Sequence, residues 1–154
     1  MASNKPSLTL RELYVNFPYK LWKYEPIPPQ PVKIVTMKVI DGGMGLFVSA
    51  LVKSATRSGI NHRTTIVLWR KNKSEYWNWD MRCQVKCSCE SFHYYLAYAI
   101  GTRRSLVGRP SYWNRVPAVV MNPSNKVQAC KHIILLSNTL FRKKIVKGRI
   151  LWKH

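Results

Sequence analysis

The sequence predicts an α+β fold, with a small antiparallel sheet of three to five strands, a following strand-helix-loop-helix unit and an extended N-terminal arm. Short β-like runs separated by turn residues occupy the chain from Val32 to Cys87. After Cys89, apolar residues recur at helical spacing instead. Residues 1–31 carry neither pattern. We therefore expect an arm over residues 1–31 and a single α+β domain over residues 32–154.

The composition indicates a globular and strongly basic protein. Apolar residues make up 46% of the 154 residues, which is enough for one domain with a hydrophobic core. Lys and Arg number 26 against 6 Asp and Glu, so the formal net charge is +20. A charge of this size favours nucleic acid, an anionic membrane or an acidic protein surface as a partner. The N-terminus lacks the apolar core of a signal peptide, and no run reaches 18 apolar residues, so we expect a chain that is not secreted.

The predicted arm is rich in proline and in aromatic residues. It ends in EPIPPQP (residues 25–31), a run that favours extended or polyproline-like backbone. Exposing the aromatic side chains of the arm to water would be unfavourable, so we expect the arm to pack either on the sheet of its own domain or on a partner. The sequence leaves these two alternatives open. The aromatic residues are Tyr14, Phe17, Tyr19, Trp22 and Tyr24.

Four runs rich in apolar and β-branched residues are predicted strands: VKIVTMKVI, GLFVSALVKSA, TTIVLWRK and a segment ending in MRCQVKC. TRSGINHR (residues 56–63) contains the Gly and Asn of a turn, so the second and third runs are predicted to form a hairpin. DGGMG (residues 41–45) lacks the Lys-Ser/Thr end of a phosphate-binding loop and opens no helix. We interpret it as a flexible turn.

Two helices are predicted after the strands. The first spans about residues 90–100, with Gly101 as its stop signal. Its apolar positions are Phe92, Leu96, Ala99 and Ile100. The second begins near Cys130 and carries Ile133, Leu136 and Leu140 on one face. Residues 101–129, between the helices, are predicted to form a long basic loop, and loops of this length tend to be functional or insertions.

Two of the four cysteines lie one residue apart, in KCSC. If MRCQVKCSC is a strand, Cys83, Cys87 and Cys89 share one face. At about 3.3 Å per residue, Cys87 and Cys89 lie about 6.6 Å apart, and a small bend lets both sulfur atoms reach one metal ion. Cys83 lies about 13 Å from Cys87, too far to join them. We interpret Cys83 as a buried, apolar side chain.

A second close pair, Cys130 and His132, can complete a metal shell. In a regular helix, side chains two residues apart point in directions that differ by about 200°. Cys130 lies in the turn that enters the helix and His132 in its first turn, so their side chains can converge. The helix dipole favours thiolates at this end. Three thiolates and one imidazole would form a closed tetrahedral zinc site, which suits a structural role because catalytic sites keep a position open for water.

Other interpretations of the cysteines stay open. Scattered cysteines are often core residues. A disulfide between Cys87 and Cys89 would be strained, and there is no CxxC redox pair. His93, inside the first predicted helix, is an alternative fourth ligand, although its place in FHYYLAY favours a polar helix position.

The pattern CxC, spacer, CxH, ordered as strand, helix, loop and helix, resembles the SWIM-type zinc finger. The spacer of 40 residues (90–129) is longer than in many members. CSCESFHYYLAYAI and NPSNKVQACKHIILL look like the variant found in structural proteins of tailed bacteriophages, and the resemblance covers about residues 83–141. It implies one structural Zn²⁺ ion. The residues that match the four ligand positions are Cys87, Cys89, Cys130 and His132.

The resemblance implies a zinc-stabilised structural component of a tailed-phage virion, made in the host cytoplasm, with tail or baseplate favoured over capsid. We expect the basic surface and the arm to clamp neighbouring virion proteins that have acidic surfaces. DNA is a further expected contact, and a membrane is not. We also expect several copies in an assembly.

The alternative is a nucleic-acid-binding zinc-finger protein. Basic residues around the finger would contact phosphates, and two aromatic residues would stack on bases. The charge, however, is spread along the whole chain without a focused stripe. An enzyme is not expected, because the chain lacks paired carboxylates and a Gly-x-Ser-x-Gly motif and because a full zinc shell leaves no Lewis-acid position. The candidate contact residues are Arg103, Arg104, Arg109, Tyr112, Trp113, Arg115, Lys126 and Lys131.

Overall fold

The computed structural model describes residues 5–16, 33–54, 57–108, 122 and 124–148. The fold is α+β, as predicted, with one four-stranded antiparallel sheet and a few helices. The strands are β1 (Ile34–Asp41), β2 (Gly45–Lys53), β3 (Asn61–Trp69) and β4 (Arg82–Cys87). The helices are α1 (Leu10–Val15), α2 (Ala97–Thr102) and α3 (Lys131–Arg142), and a π-helical turn (Phe92–Leu96) leads directly into α2. No helix in these ranges is long and apolar enough to cross a membrane.

The strands lie in the sheet in chain order, β1-β2-β3-β4, and each is antiparallel to the next. The predicted hairpin is confirmed, because β2 and β3 pair from Lys53 and Asn61 onward across a turn in which Gly59 has a φ of 76°. DGGMG forms the β1–β2 turn. There Gly43 has a φ of 86°, which a residue without Cβ adopts readily, and its N–H donates to Asp41 Oδ1 over 2.9 Å.

Side chains alternate across the sheet, so it has an inner face in the core and an outer face. The inner face contributes the buried side chains Leu46, Val48, Val52, Ile66, Leu68, Cys83 and Val85. Helix α3 packs on this face and buries Ile133, Leu136 and Leu140 completely. The predicted apolar side of the second helix is therefore confirmed, as is the burial of Cys83.

The first described segment, residues 5–16, differs from the extended arm that the sequence predicts. Thr9 caps α1 with a capping box, accepting from the Glu12 N–H over 3.2 Å and donating its own N–H to the Glu12 carboxylate over 2.8 Å. Leu10 and Leu13 are fully buried in the core. This part of the arm is thus a packed helix, because its apolar residues find the core of the domain. The rest of the predicted arm, residues 17–31, lies outside the described residues.

The first predicted helix forms, but it ends at Thr102, two residues beyond the predicted end at about residue 100. Gly101 lies inside α2, and the chain leaves the helix at Arg104, which has a φ of 57°. The Arg104 N–H donates to the Gly101 carbonyl over 2.9 Å and the Ser105 N–H to the Ile100 carbonyl over 3.1 Å. These two bonds are a Schellman motif with arginine in the left-handed position.

The start of the predicted long loop covers the free edge of β4. The Val85 N–H donates to the Ser105 carbonyl over 2.7 Å, and the Val107 N–H donates to the Val85 carbonyl over 3.1 Å. One isolated parallel bridge pairs Val85 with Leu106. Because β4 is covered in this way, the chain leaving α2 is tied to the strand that carries the cysteines.

Candidate metal centre

The structure brings together the four residues that the sequence predicts as metal ligands. Three sulfur atoms and one imidazole nitrogen, from Cys87, Cys89, Cys130 and His132, all lie within 4.8 Å of one another. Each residue is 5% exposed or less. Such a cluster of soft donors can hold one metal ion.

Two pieces of secondary structure position these side chains. Cys87 is the last residue of β4, and the burial alternation of that strand continues through Cys89. Cys130 precedes α3 in an extended conformation, with φ −83° and ψ 166°, and His132 lies in the first turn of the helix. The extended backbone at Cys130 turns its side chain toward that of His132, which a regular helix would not do.

Neighbouring groups hold the sulfur atoms in place. The Phe92 N–H donates to Cys89 Sγ over 3.4 Å, so the turn that opens the π-helix also orients this ligand. Thr64 Oγ1 lies 3.5 Å from Cys87 Sγ, and Thr64 is the residue paired with Cys87 across the sheet. The sequence reasoning did not single out Thr64 or Phe92 as neighbours of the site.

His62 is a further residue that the sequence reasoning missed. Its ring centroid lies 4.7 Å from that of His132. Burial, and then the proximity of His132, lowers the pKa of His62. The sequence predicts a turn over TRSGINHR, which contains His62, whereas β3 already begins at Asn61. Extending the alternation of the third predicted strand back by two residues would have placed His62 on the face of Thr64 and Ile66.

The pKa values of the three thiols in the cluster are shifted in different directions. Hydrogen bonds with Cys130 and then Cys89 lower the pKa of the Cys87 thiol, against the effect of burial. The hydrogen bond with Cys130 lowers the pKa of Cys89, but the one with Cys87 and burial outweigh it and raise that pKa to about 12. Burial raises the pKa of Cys130 well above its usual value. A buried charge costs free energy unless it is compensated, so ionisation of all three thiols requires a cation.

The donor set fits a bound cation. Cys87 Sγ lies 3.7 Å from His132 Nδ1. His132 Nε2 is buried and has no hydrogen-bond partner within the described ranges. Nδ1 is thus the nitrogen placed to ligate, and a cation would allow all three cysteines to ionise. Ligation through Nδ1 does not by itself give Nε2 a partner.

The two residues considered as alternatives lie apart from this cluster. Cys83 is fully buried, and burial raises its pKa, as expected for an inert core thiol. His93 packs its ring against Tyr94, with centroids 4.8 Å apart. Neither residue belongs to the group of four donors found in the described part of the chain. All four cysteines are free thiols.

The candidate nucleic-acid contacts are described only in part. Arg103 and Arg104 are exposed in the turn after α2, Lys126 is exposed in the segment before α3, and Lys131 is the half-buried first residue of α3. The remaining candidates lie outside the described residues: Arg109, Tyr112, Trp113 and Arg115. Their contact with phosphates or bases stays a prediction.

No protein-family model, curated protein or solved structure matches this chain.

Proposed function

We propose that the four-residue cluster holds one structural Zn²⁺ ion and that this protein is a non-enzymatic, zinc-stabilised structural component. The supporting observation is the closed and buried Cys₃His donor set. In a tetrahedral site with Zn–S bonds of about 2.3 Å and Zn–N bonds of about 2.0 Å, neighbouring donors lie about 3.5 to 3.8 Å apart. The 3.7 Å between Cys87 Sγ and His132 Nδ1 falls in this range.

The ion would join the end of the sheet to the start of α3. Cys87 and Cys89 belong to the β4 side, and Cys130 and His132 to the helix, with 40 residues between the two halves. Metal binding converts this long separation into a short cross-link, and its free energy contributes directly to folding. Four protein ligands leave no position for a water molecule, so we expect no Lewis-acid catalysis at the ion.

We further propose that the protein is a SWIM-like component of a tailed-phage particle, in the tail or baseplate rather than the capsid. The support is the sequence resemblance over residues 83–141 together with the charge of +20. Among the described residues, three acidic side chains are paired with arginines, Asp80 with Arg11, Glu90 with Arg57 and Asp41 with Arg70. The chain has 26 Lys and Arg for only 6 Asp and Glu, and this excess of positive charge suits a protein that clamps acidic neighbours.

Metal analysis of the purified chain tests the zinc site. We expect one zinc per chain, and loss of that zinc in Cys130→Ser. The matched control is Cys83→Ala, which removes a buried thiol that lies outside the cluster and keeps the metal. Equal zinc content in Cys130→Ser and the wild type would contradict the four-ligand site.

Mass spectrometry of purified particles tests the place of the protein. We expect the chain in particles of the phage that encodes it, in several copies. Its recovery only from infected-cell lysate, and not from particles, would contradict a structural role, even if the chain binds zinc.

A further inference from the structure

The outer face of the sheet combines aromatic rings with positive charge. Residues paired directly across an antiparallel sheet lie on the same face, and the register gives this face two neighbouring rows that cross all four strands. The first row, which contains Phe47, consists of Ile40, Phe47, Val67 and Gln84. Trp69 lies on the same face, two residues beyond Val67 in β3. The basic row beside it consists of Lys38, Ser49, Thr65 and Lys86.

Two aromatic side chains are accessible on this face, near the end of the sheet where β2 and β4 begin and β3 ends. Phe47 is 41% exposed and Trp69 is 37% exposed. Their ring centroids lie 5.7 Å apart in an edge-to-face arrangement, and Trp69 Nε1 donates to Gln84 Oε1 over 3.0 Å. Each ring is therefore held in a fixed orientation. Both rings pack closely over Gly45, where an added Cβ would lie 3.0 Å from the Trp69 ring and 3.1 Å from the Phe47 ring.

All the charge at the strand positions of this face is positive. Three further cations accompany the basic row, and no Asp or Glu occupies a strand position on the outer face. Those cations are Lys53, Arg63 and Arg82. The helices of the described segments pack on the inner face instead.

We propose that this outer face binds single-stranded nucleic acid, with Phe47 and Trp69 stacking on bases and Lys38 and Lys86 contacting phosphates. Charge complementarity selects a polyanion, and a second copy of a chain with charge +20 would be repelled. Exposed rings beside cations select unpaired bases, because the bases of a duplex are stacked on each other and cannot lie on a flat sheet. Ser49, Thr65 and Gln84 supply hydrogen-bonding groups within the same rows.

This site lies on the opposite side of the sheet from the metal cluster, so it does not depend on the proposed zinc function. It also differs from the loop around residues 101–129, from which the sequence predicts nucleic-acid contacts. A protein that binds zinc but no oligonucleotide would leave the proposed function intact and overturn only this inference.

Fluorescence anisotropy of the full chain with a labelled 12-nucleotide oligothymidine tests the proposal. Base stacking on one aromatic residue strengthens binding by roughly 5- to 150-fold. We therefore expect Phe47→Ala/Trp69→Ala to weaken binding at least about 10-fold, and Trp69→Phe to retain most of the affinity because a ring remains. The matched control is Tyr76→Ala, which removes a 72% exposed ring elsewhere and leaves binding unchanged. Zinc content and the melting temperature of each variant establish that the fold is kept.

The salt dependence tests the role of the cations. For single strands, each phosphate contact contributes about 0.7 to the slope of log affinity against log salt. Lys38→Gln/Lys86→Gln should lower this slope by about 1.4, whereas Lys71→Gln/Lys73→Gln, on the exposed β3–β4 connection, should not change it. A duplex or a polyglutamate chain that binds as tightly as the oligothymidine, with no loss in the aromatic double variant, overturns the proposal.

Discussion

Cys87 Sγ lies 3.7 Å from His132 Nδ1, although the two residues are 45 positions apart in the chain. Cys87 ends β4 and His132 lies in the first turn of α3, so this contact joins the sheet to its main covering helix. Substitutions in the cluster are therefore expected to affect the packing of α3 on the sheet as well.

The fourth ligand can be exchanged for a thiol. We expect His132→Cys to keep one metal ion per chain, because four thiolates also form a closed tetrahedral shell, and His132→Ala to lose it. Visible absorption of the Co²⁺-substituted protein reports tetrahedral coordination in each variant. As a control, His93→Ala should give the wild-type spectrum. A wild-type spectrum in His132→Ala would show that another residue completes the shell.

Chelation should destabilise the sheet–helix junction. A ligand that binds only the native state stabilises it by RT ln(1 + [L]/Kd), so the melting temperature should rise with free Zn²⁺ and fall on adding a chelator. Amide exchange should speed up first at the start of α3, where the Ile134 N–H donates to the Cys130 carbonyl over 3.1 Å. Cys130→Ser is the control and should melt at the same temperature with or without zinc. Zinc-independent melting of the wild type would contradict a structural ion.

Helix α1 should belong to the domain rather than to a dispensable arm. Leu13 is fully buried, so we expect Leu13→Ala to lower the free energy of unfolding by about 2 to 5 kcal/mol. Val15 lies in the same helix but is 61% exposed, so Val15→Ala should change the free energy of unfolding by less than about 0.5 kcal/mol. Urea unfolding measures both variants. Equal, small effects would mean that α1 is not packed in solution.

Asp41 should make stability depend on acid pH. The Trp77 Nε1–H bond, 3.0 Å long, and then the Gly43 N–H hold the pKa of this carboxyl below its usual value. A carboxyl with a depressed pKa in the native state stabilises the fold above its unfolded pKa of about 3.9, and the contribution is lost as the pH falls through the native pKa. The free energy of unfolding of Asp41→Asn should thus lie below that of the wild type at pH 7, and the two should converge below about pH 4.

Urea unfolding of both proteins between pH 7 and pH 2.5 measures this difference. Acid also weakens metal binding, but it does so in both proteins, so the difference between them isolates Asp41. A difference that stays constant across the range would mean that the carboxylate charge plays no part.

Local patterns were sufficient for much of the fold. The alternation of MRCQVKCSC correctly predicts that Cys83 is buried and that Cys87 and Cys89 face the same side, because side-chain direction in a strand depends only on residue parity. The apolar positions of α3 follow in the same way from the helical period. The helix at residues 10–15 was missed, although TLRE carries a capping box, because so short a helix is stable only when the core buries it.

The sequence by itself determined which residues share a strand face or a helix face, and which four side chains have the chemistry to share a metal ion. Only the tertiary structure decided that His62 lies beside His132, that α1 joins the core, and that Phe47 and Trp69 meet on one open face among cations. These relationships depend on strand register and on which element covers which face. The free energy that decides them comes from contacts between distant segments, which no local pattern contains.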